Sequence, residues 1–187
     1  MILEVKDTYR KAVLLHTYNG GIPTLIDWLL DGAPEDLIDD IEKLPITFTY
    51  NNVDFCHAGG GPQAFKDVQN AEYENKIPPH ISARTCLWDR GCISIGWFPE
   101  RICVHGHTPT PLLKIKDNPI YKIENSKPLA WIGSSSPQKY NGWKIDMDCC
   151  SAFSNKAFVL NVLTMTTIGF HMTKNGIQVI PACKIIE

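Results

Sequence analysis

Three imidazoles stand at the ends of two short apolar runs. His57 closes VDFC and opens HAGGGP, while His105 and His107 follow RICV and bracket Gly106 in HGHTPT. Neutral imidazole is a good ligand for zinc, iron and other first-row metals. Glycine after it lets the chain turn sharply and approach a ligand closely. In an extended segment, residues i and i+2 share a face, which would point His105 and His107 the same way. A sharp turn at Gly106 instead sends one into a site and leaves the other behind it, where it orients a ligand. For His57 the plain alternative is a ring bonded to a loop carbonyl. Arg90, in CLWDRG, is the other group of interest. A guanidinium can bond two phosphate oxygens in parallel and neutralise charge that develops during transfer. Its plain alternative is a surface ion pair with Asp89. Leu87 and Trp88 are expected to anchor that loop in the core.

Other polar residues carry less. Asp146 and Asp148 alternate along WKIDMDCC and have the chemistry of metal ligands, but strand-end carboxylates often accept backbone hydrogen bonds, and that role is preferred for both. Asn19-Gly20-Gly21 reads as a turn. His16, His80 and His171 have no ligand-like neighbours, and His80 reads as a loop contact. Glu35, Asp36, Asp39, Asp40 and Glu42 read as the solvated side of a helix.

These side chains need a scaffold. With 187 residues, 44% hydrophobic and 20% charged, the chain has the size and composition of one globular domain with a real core. A net charge of -2 gives no electrostatic footprint for nucleic acid. The seven cysteines are odd in number, irregularly spaced and form no C-x-x-C pair, so reduced thiols in a cytoplasmic protein are expected. The opening residues make a poor signal peptide. No apolar run approaches the roughly 20 residues that span a bilayer, so no membrane is expected.

The elements follow from the period. TLIDWLL predicts a helix capped by Thr24, and Pro34 starts a second over residues 35–43 with Leu37, Ile38 and Ile41 on one face. From Pro45 the period becomes that of strands. PITFTY, Asn51-Asn52 and VDFC predict a hairpin that delivers His57. Residues 64–76 read as polar and partly helical, and Pro78-Pro79 as a loop able to cover a substrate. Strands are expected at 101–104, 120–123, 143–147, 157–163 and 176–180, with 132–142 a surface loop. Helices first and strands later fit an α/β sandwich; a wholly antiparallel sandwich is the competitor.

Taken in order, five pieces resemble the serine/threonine protein phosphatase type of calcineurin-like metallophosphoesterase. They are Asn19-Gly20-Gly21 with Thr24-Leu25, Phe55-Cys56-His57-Ala58-Gly59, Leu87-Trp88-Asp89-Arg90, Val104-His105-Gly106-His107-Thr108-Pro109-Thr110, and Ile145-Asp146-Met147-Asp148. The likeness is to the bacterial and phage branch, which grades into diadenosine tetraphosphatases. It implies two divalent metals (manganese, iron or zinc) that activate a water for in-line attack on phosphorus. It implies His57 and His107 as metal ligands, Arg90 as a catalytic phosphate-gripping arginine, and His105, Asp146 and Asn19 in supporting positions. Phosphoproteins or small phosphoesters are the implied substrates. The family opens with aspartate-x-histidine-glycine, then an aspartate-rich arginine-glycine element, then asparagine-histidine-glutamate. None of these precedes Asn19, and His16 lacks the residues around the last. The C-terminal aspartate-threonine-glycine element is altered to Asp146-Met147-Asp148-Cys149. The resemblance thus implies, over residues 1–187, the C-terminal portion of an α/β/β/α sandwich without its first βαβ elements. It further implies no hydrolysis by the isolated chain, which would be a truncated product, a degenerate relative, or one part of a split protein with a complementary N-terminal chain as partner. A non-catalytic phosphate- or protein-binding module is the competing expectation.

Overall fold

The switch of hydrophobic period near Pro45 coincides with a division of the chain into two compact units, residues 1–44 and 45–187. The computed structural model describes residues 21–32, 34–91, 95–109, 131–133, 142–151 and 155–184. In the first unit, α1 (Ile22–Leu30) begins two residues before Thr24. Gly21 is its cap, and Pro23 sits in the first turn, where a missing N–H leaves no bond unmade. Helix α2 (Glu35–Glu42) starts just after Pro34. The Trp28 indole N–H donates to the Pro34 carbonyl at 3.3 Å and ties the two helices' connection.

In the second unit, β1 (Thr47–Tyr50) and β2 (Val53–Cys56) form the expected hairpin. Asn51 takes the left-handed conformation its turn needs, with φ +53°. Two helices follow, α3 (Pro62–Tyr73) and α4 (His80–Trp88). The segment read as partly helical over 64–76 is helical to Tyr73, and the helix begins two residues earlier, at Pro62. Then come β3 (Ile102–His105), β4 (Trp131–Gly133) and β5 (Trp143–Asp146). The expected strand at 120–123 lies outside the described residues. Residues 132–142 are not simply a surface loop. Ile132 and Gly133 belong to β4, and Gly142 exchanges two backbone hydrogen bonds with Trp97. A Cβ on Gly142 would lie 1.9 Å from the Phe98 carbonyl oxygen, so the close approach there requires glycine.

The strand order is β1-β2-β3-β5-β4, with β2, β3 and β5 parallel and the edge strands antiparallel. Helices α3 and α4 form the crossover from β2 to β3, as a parallel pair requires. A wholly antiparallel sheet is therefore not what this chain forms. A second sheet holds β6 (Lys156–Asn161), β7 (Thr166–Thr173) and β8 (Gly176–Lys184) in antiparallel order. Strand β7 lay unread in the sequence because TTIGFHMT carries a glycine and no clean alternation.

Strand parity sorts the core. On one face of the five-stranded sheet, Cys56 and Cys103 pack with Phe65, Val68, Cys86 and Trp97 beneath α3 and α4. On the other, Ile102 and Ile145 pack with Val104, Trp143, Met147, Leu160 and Met165, so the second sheet's β6–β7 end covers that side. The result is a mixed α/β fold with two small open sheets. Among the described residues, no helix is long and apolar enough to cross a membrane.

Candidate functional site

Parallel strands β2, β3 and β5 end at the same edge, and loops leaving the carboxyl ends of such strands are where open α/β sheets bind ligands. His57 is the first residue past β2, and His107 lies two residues past β3. The Gly106 N–H donates to the His57 carbonyl at 2.9 Å and fastens the two loops together. Thr108 N–H then bonds back to the Gly106 carbonyl at 2.8 Å, across His107 at φ +69°. A bond between residues i and i+2 over a positive φ marks the rare, strained γ-turn. Such strain in a non-glycine residue persists only where the surroundings enforce it, and it clusters at functional sites.

The turn separates the two histidines of HGH. His105 goes inward, 4% exposed, while the His107 ring meets the His57 ring with centroids 4.9 Å apart. The Trp88 ring stands edge-on to His107 at 5.5 Å. That contact corrects the expectation for Trp88. It ends α4 and is 49% exposed, so it borders the site and does not anchor a loop in the core. These groups stand at an open groove of about 560 Å³, whose walls include Phe48, Phe55, Cys56 and Met147.

Burial holds the His107 pKa below its ordinary value, and the nearby Arg90 guanidinium and His57 ring push it further down; a bond to the Trp88 backbone and the Asp148 charge oppose this. Arg90 therefore acts electrostatically on the His107 ring. The effect keeps His107 neutral, the form in which a nitrogen lone pair is free to bind a cation.

Behind the rings lies a buried polar layer. His105 is pushed down to about 4 by burial and then by the Lys144 ammonium. Asp146 is raised to about 8, first by burial and also by the Asp148 charge. At neutral pH the imidazole is neutral and the carboxyl largely protonated. Their 3.9 Å approach is thus no ion pair. Asp146 Oδ1 accepts the Asp148 N–H at 3.0 Å, and Asp148 Oδ1 accepts the Cys150 N–H at 2.8 Å. Both carboxylates therefore do the backbone-accepting work preferred from their strand-end positions. His105 Nε2, Thr108 Oγ1 and Asp146 Oδ2 are buried without a hydrogen-bond partner, an uncommon concentration of orphaned polar atoms.

Sequence reasoning missed Lys144. It is fully buried, donates to the Gly60 carbonyl at 2.7 Å and lies 5.3 Å from the Trp97 ring centre. The legible signal was parity: in WKID, Lys144 shares a face with Asp146. Also missed was Asp54, buried on β2, which accepts from Thr49, Trp97 and the Arg101 guanidinium. Asn19 and His16 lie outside the described residues. His80 opens α4, where it is exposed, and His171 sits in β7, remote in sequence from the site.

Two imidazoles provide part of a cation's coordination. Zinc takes about four ligands, and among the described residues no group of three His, Cys, Asp or Glu side chains is arranged to hold an ion. The described residues alone do not fit a complete two-metal centre. Comparison with protein-family models, with curated proteins and with solved structures finds no match in any of the three.

Proposed function

We propose that the chain serves phosphoester chemistry, as part of a dinuclear-metal hydrolase of the serine/threonine protein phosphatase type. His57 and His107 are the imidazole ligands, and Arg90 grips the phosphate. One observation carries the reading: two rings from separate strand ends meet at 4.9 Å. Metal–nitrogen bonds of about 2 Å allow both to reach one cation from there. The metals would activate the attacking water. What this chain's own residues contribute is narrower. The γ-turn holds His107 toward His57, burial and Arg90 keep its ring neutral, and the guanidinium offers paired donors to phosphate oxygens. Since the two imidazoles do not complete the centre among the described residues, the isolated chain is proposed to bind but not to turn over, and to need ligands from a complementary chain. The substrate proposed is a phosphoprotein.

A second reading has its own support. Trp88 is half exposed beside His107, and Phe48 and Phe55 line the groove. Aromatic faces of this kind stack on nucleobases, which favours a dinucleoside polyphosphate over a peptide.

Calorimetry with zinc, inorganic phosphate and an aryl phosphate tests these readings. Zinc binding that is lost in both His57→Ala and His107→Ala, without aryl-phosphate hydrolysis, is expected. Unchanged zinc affinity in both variants would remove the proposed ligands. Phosphate binding with no zinc binding would instead favour a non-catalytic module.

A further inference from the structure

Three thiols converge directly beneath the groove, and the phosphoester reading does not use them. Cys56 ends β2, Cys103 lies in β3 on the same sheet face, and Cys86 faces both from α4. The three thiols belong to one buried cluster. Cys86 and Cys103 are fully buried, whereas Cys56 is 9% exposed and lines the groove wall. Of the three, Cys56 is therefore the one a small oxidant entering the groove meets, with the other two packed in the same cluster behind it.

We propose that Cys56 is an oxidisable thiol resolved by Cys86, making the pair a hydroperoxide-responsive disulfide switch beside the histidine site. The Cys56 thiol sulfur attacks the nearer oxygen of a hydroperoxide. An S–O bond forms, the O–O bond breaks, and the departing oxygen takes up the thiol's proton to leave as water or an alcohol. The Cys86 thiol then attacks the sulfenic sulfur. The S–S bond forms, the S–O bond breaks, and hydroxide leaves as water with the Cys86 proton. Sulfur gives up two electrons in all, and the peroxide receives them.

Register counts against Cys103 as the resolving thiol and leaves Cys86. Cys103 pairs with Asp54, not Cys56, so the two cysteines are diagonal neighbours, about 7–8 Å apart between Cα atoms on a sheet. A disulfide needs roughly 4.4–6.8 Å, and central strands do not shift to supply it. Cys86 lies two residues from the end of α4, just before the turn at residues 89–91. Its carbonyl accepts the Ala58 N–H at 2.7 Å, which keeps the helix end against the loop following Cys56. Cys149 provides an internal comparison: its thiol bonds to the Lys156 carbonyl at 3.1 Å and to the Ser151 hydroxyl.

The test is peptide mapping of the full native chain after stoichiometric hydrogen peroxide, with remaining thiols alkylated. A reducible link between the Cys56 and Cys86 peptides, and a loss of two free thiols per chain, is expected. The Cys103→Ser variant should still form it, and Cys86→Ser should leave a sulfenic acid at Cys56 that dimedone traps. A Cys56–Cys103 link, prior oxidation of Cys149 or Cys150, or a Cys56 that stays reduced would each overturn the proposal. The wild-type map decides this even where a serine variant fails to fold.

Discussion

At the scale of single residues, the site depends on backbone positions that few side chains tolerate. His107 sits at φ +69° and Gly59 at φ +81°. A Cβ at Gly59 would lie 2.7 Å from the His105 ring, so that ring packs into the space glycine leaves. Gly59→Ala is expected to cost about 1–3 kcal/mol through backbone strain and displacement of His105. A shifted chemical-denaturation midpoint together with a moved His105 resonance checks this; a change in neither rejects the contact. The Arg90 charge has a consequence of its own. Arg90 helps hold the His107 pKa down, so Arg90→Ala should raise it toward its ordinary value. Below that pKa protons compete with a cation for the ring, so zinc binding in the variant should weaken at a higher pH than in the parent. Histidine titration by NMR gives the answer, and an unmoved His107 would show that Arg90 does not face it. HGH, HAGG and DRG announced these residues because imidazole and guanidinium next to glycine are chemically distinctive. The local pattern did not say which histidine turned inward, since i and i+2 share a face unless the backbone leaves the extended region.

Elements deliver these residues through the β1–β2 hairpin, and Asp54 holds that hairpin in place. Its carboxylate accepts from the Thr49 hydroxyl at 2.6 Å, the Trp97 indole at 2.8 Å and Arg101 Nε at 2.8 Å, and it also pairs with Arg101 Nη2. Glu72 of α3 bonds Thr47 Oγ1 at 2.6 Å, which pins the helix to β1. Asp54→Asn removes the charge but keeps the shape, leaving Arg101 without its counter-ion. Since the Arg101 side chain is about one-third exposed, a loss of about 2–3 kcal/mol is expected, below the full cost of breaking a buried pair. An unchanged urea midpoint would contradict that. The hairpin itself was legible from NN between alternating runs. Strand β7 and the short β4 were not, because their residues lack alternation and depend on neighbours for pairing.

The whole molecule balances two buried titrating groups of opposite sense. The Asp146 carboxyl keeps its proton to about 8 against an ordinary 3.8. Folding therefore takes up a proton between those values, and stability falls as pH rises through them. His105 titrates at about 4 against an ordinary 6.5, so the unfolded chain holds the extra proton in that window and stability rises with pH there. The two effects oppose each other below 6.5, and above it Asp146 acts alone. Melting temperature should fall between pH 6.5 and 8, with a stability loss on the order of 1–2 kcal/mol. Asp146→Asn should flatten that slope, and a slope that survives would locate its cause elsewhere. The sequence by itself determined the chemically distinctive residues, the two opening helices and the hairpin, because these rest on residue type, local period and turn chemistry. Only the tertiary structure decided that His57 meets His107, that Lys144 and Asp146 are buried, and that three scattered cysteines touch. Those facts depend on which strands lie side by side and in what register, and no local pattern carries the pairing of segments some fifty residues apart.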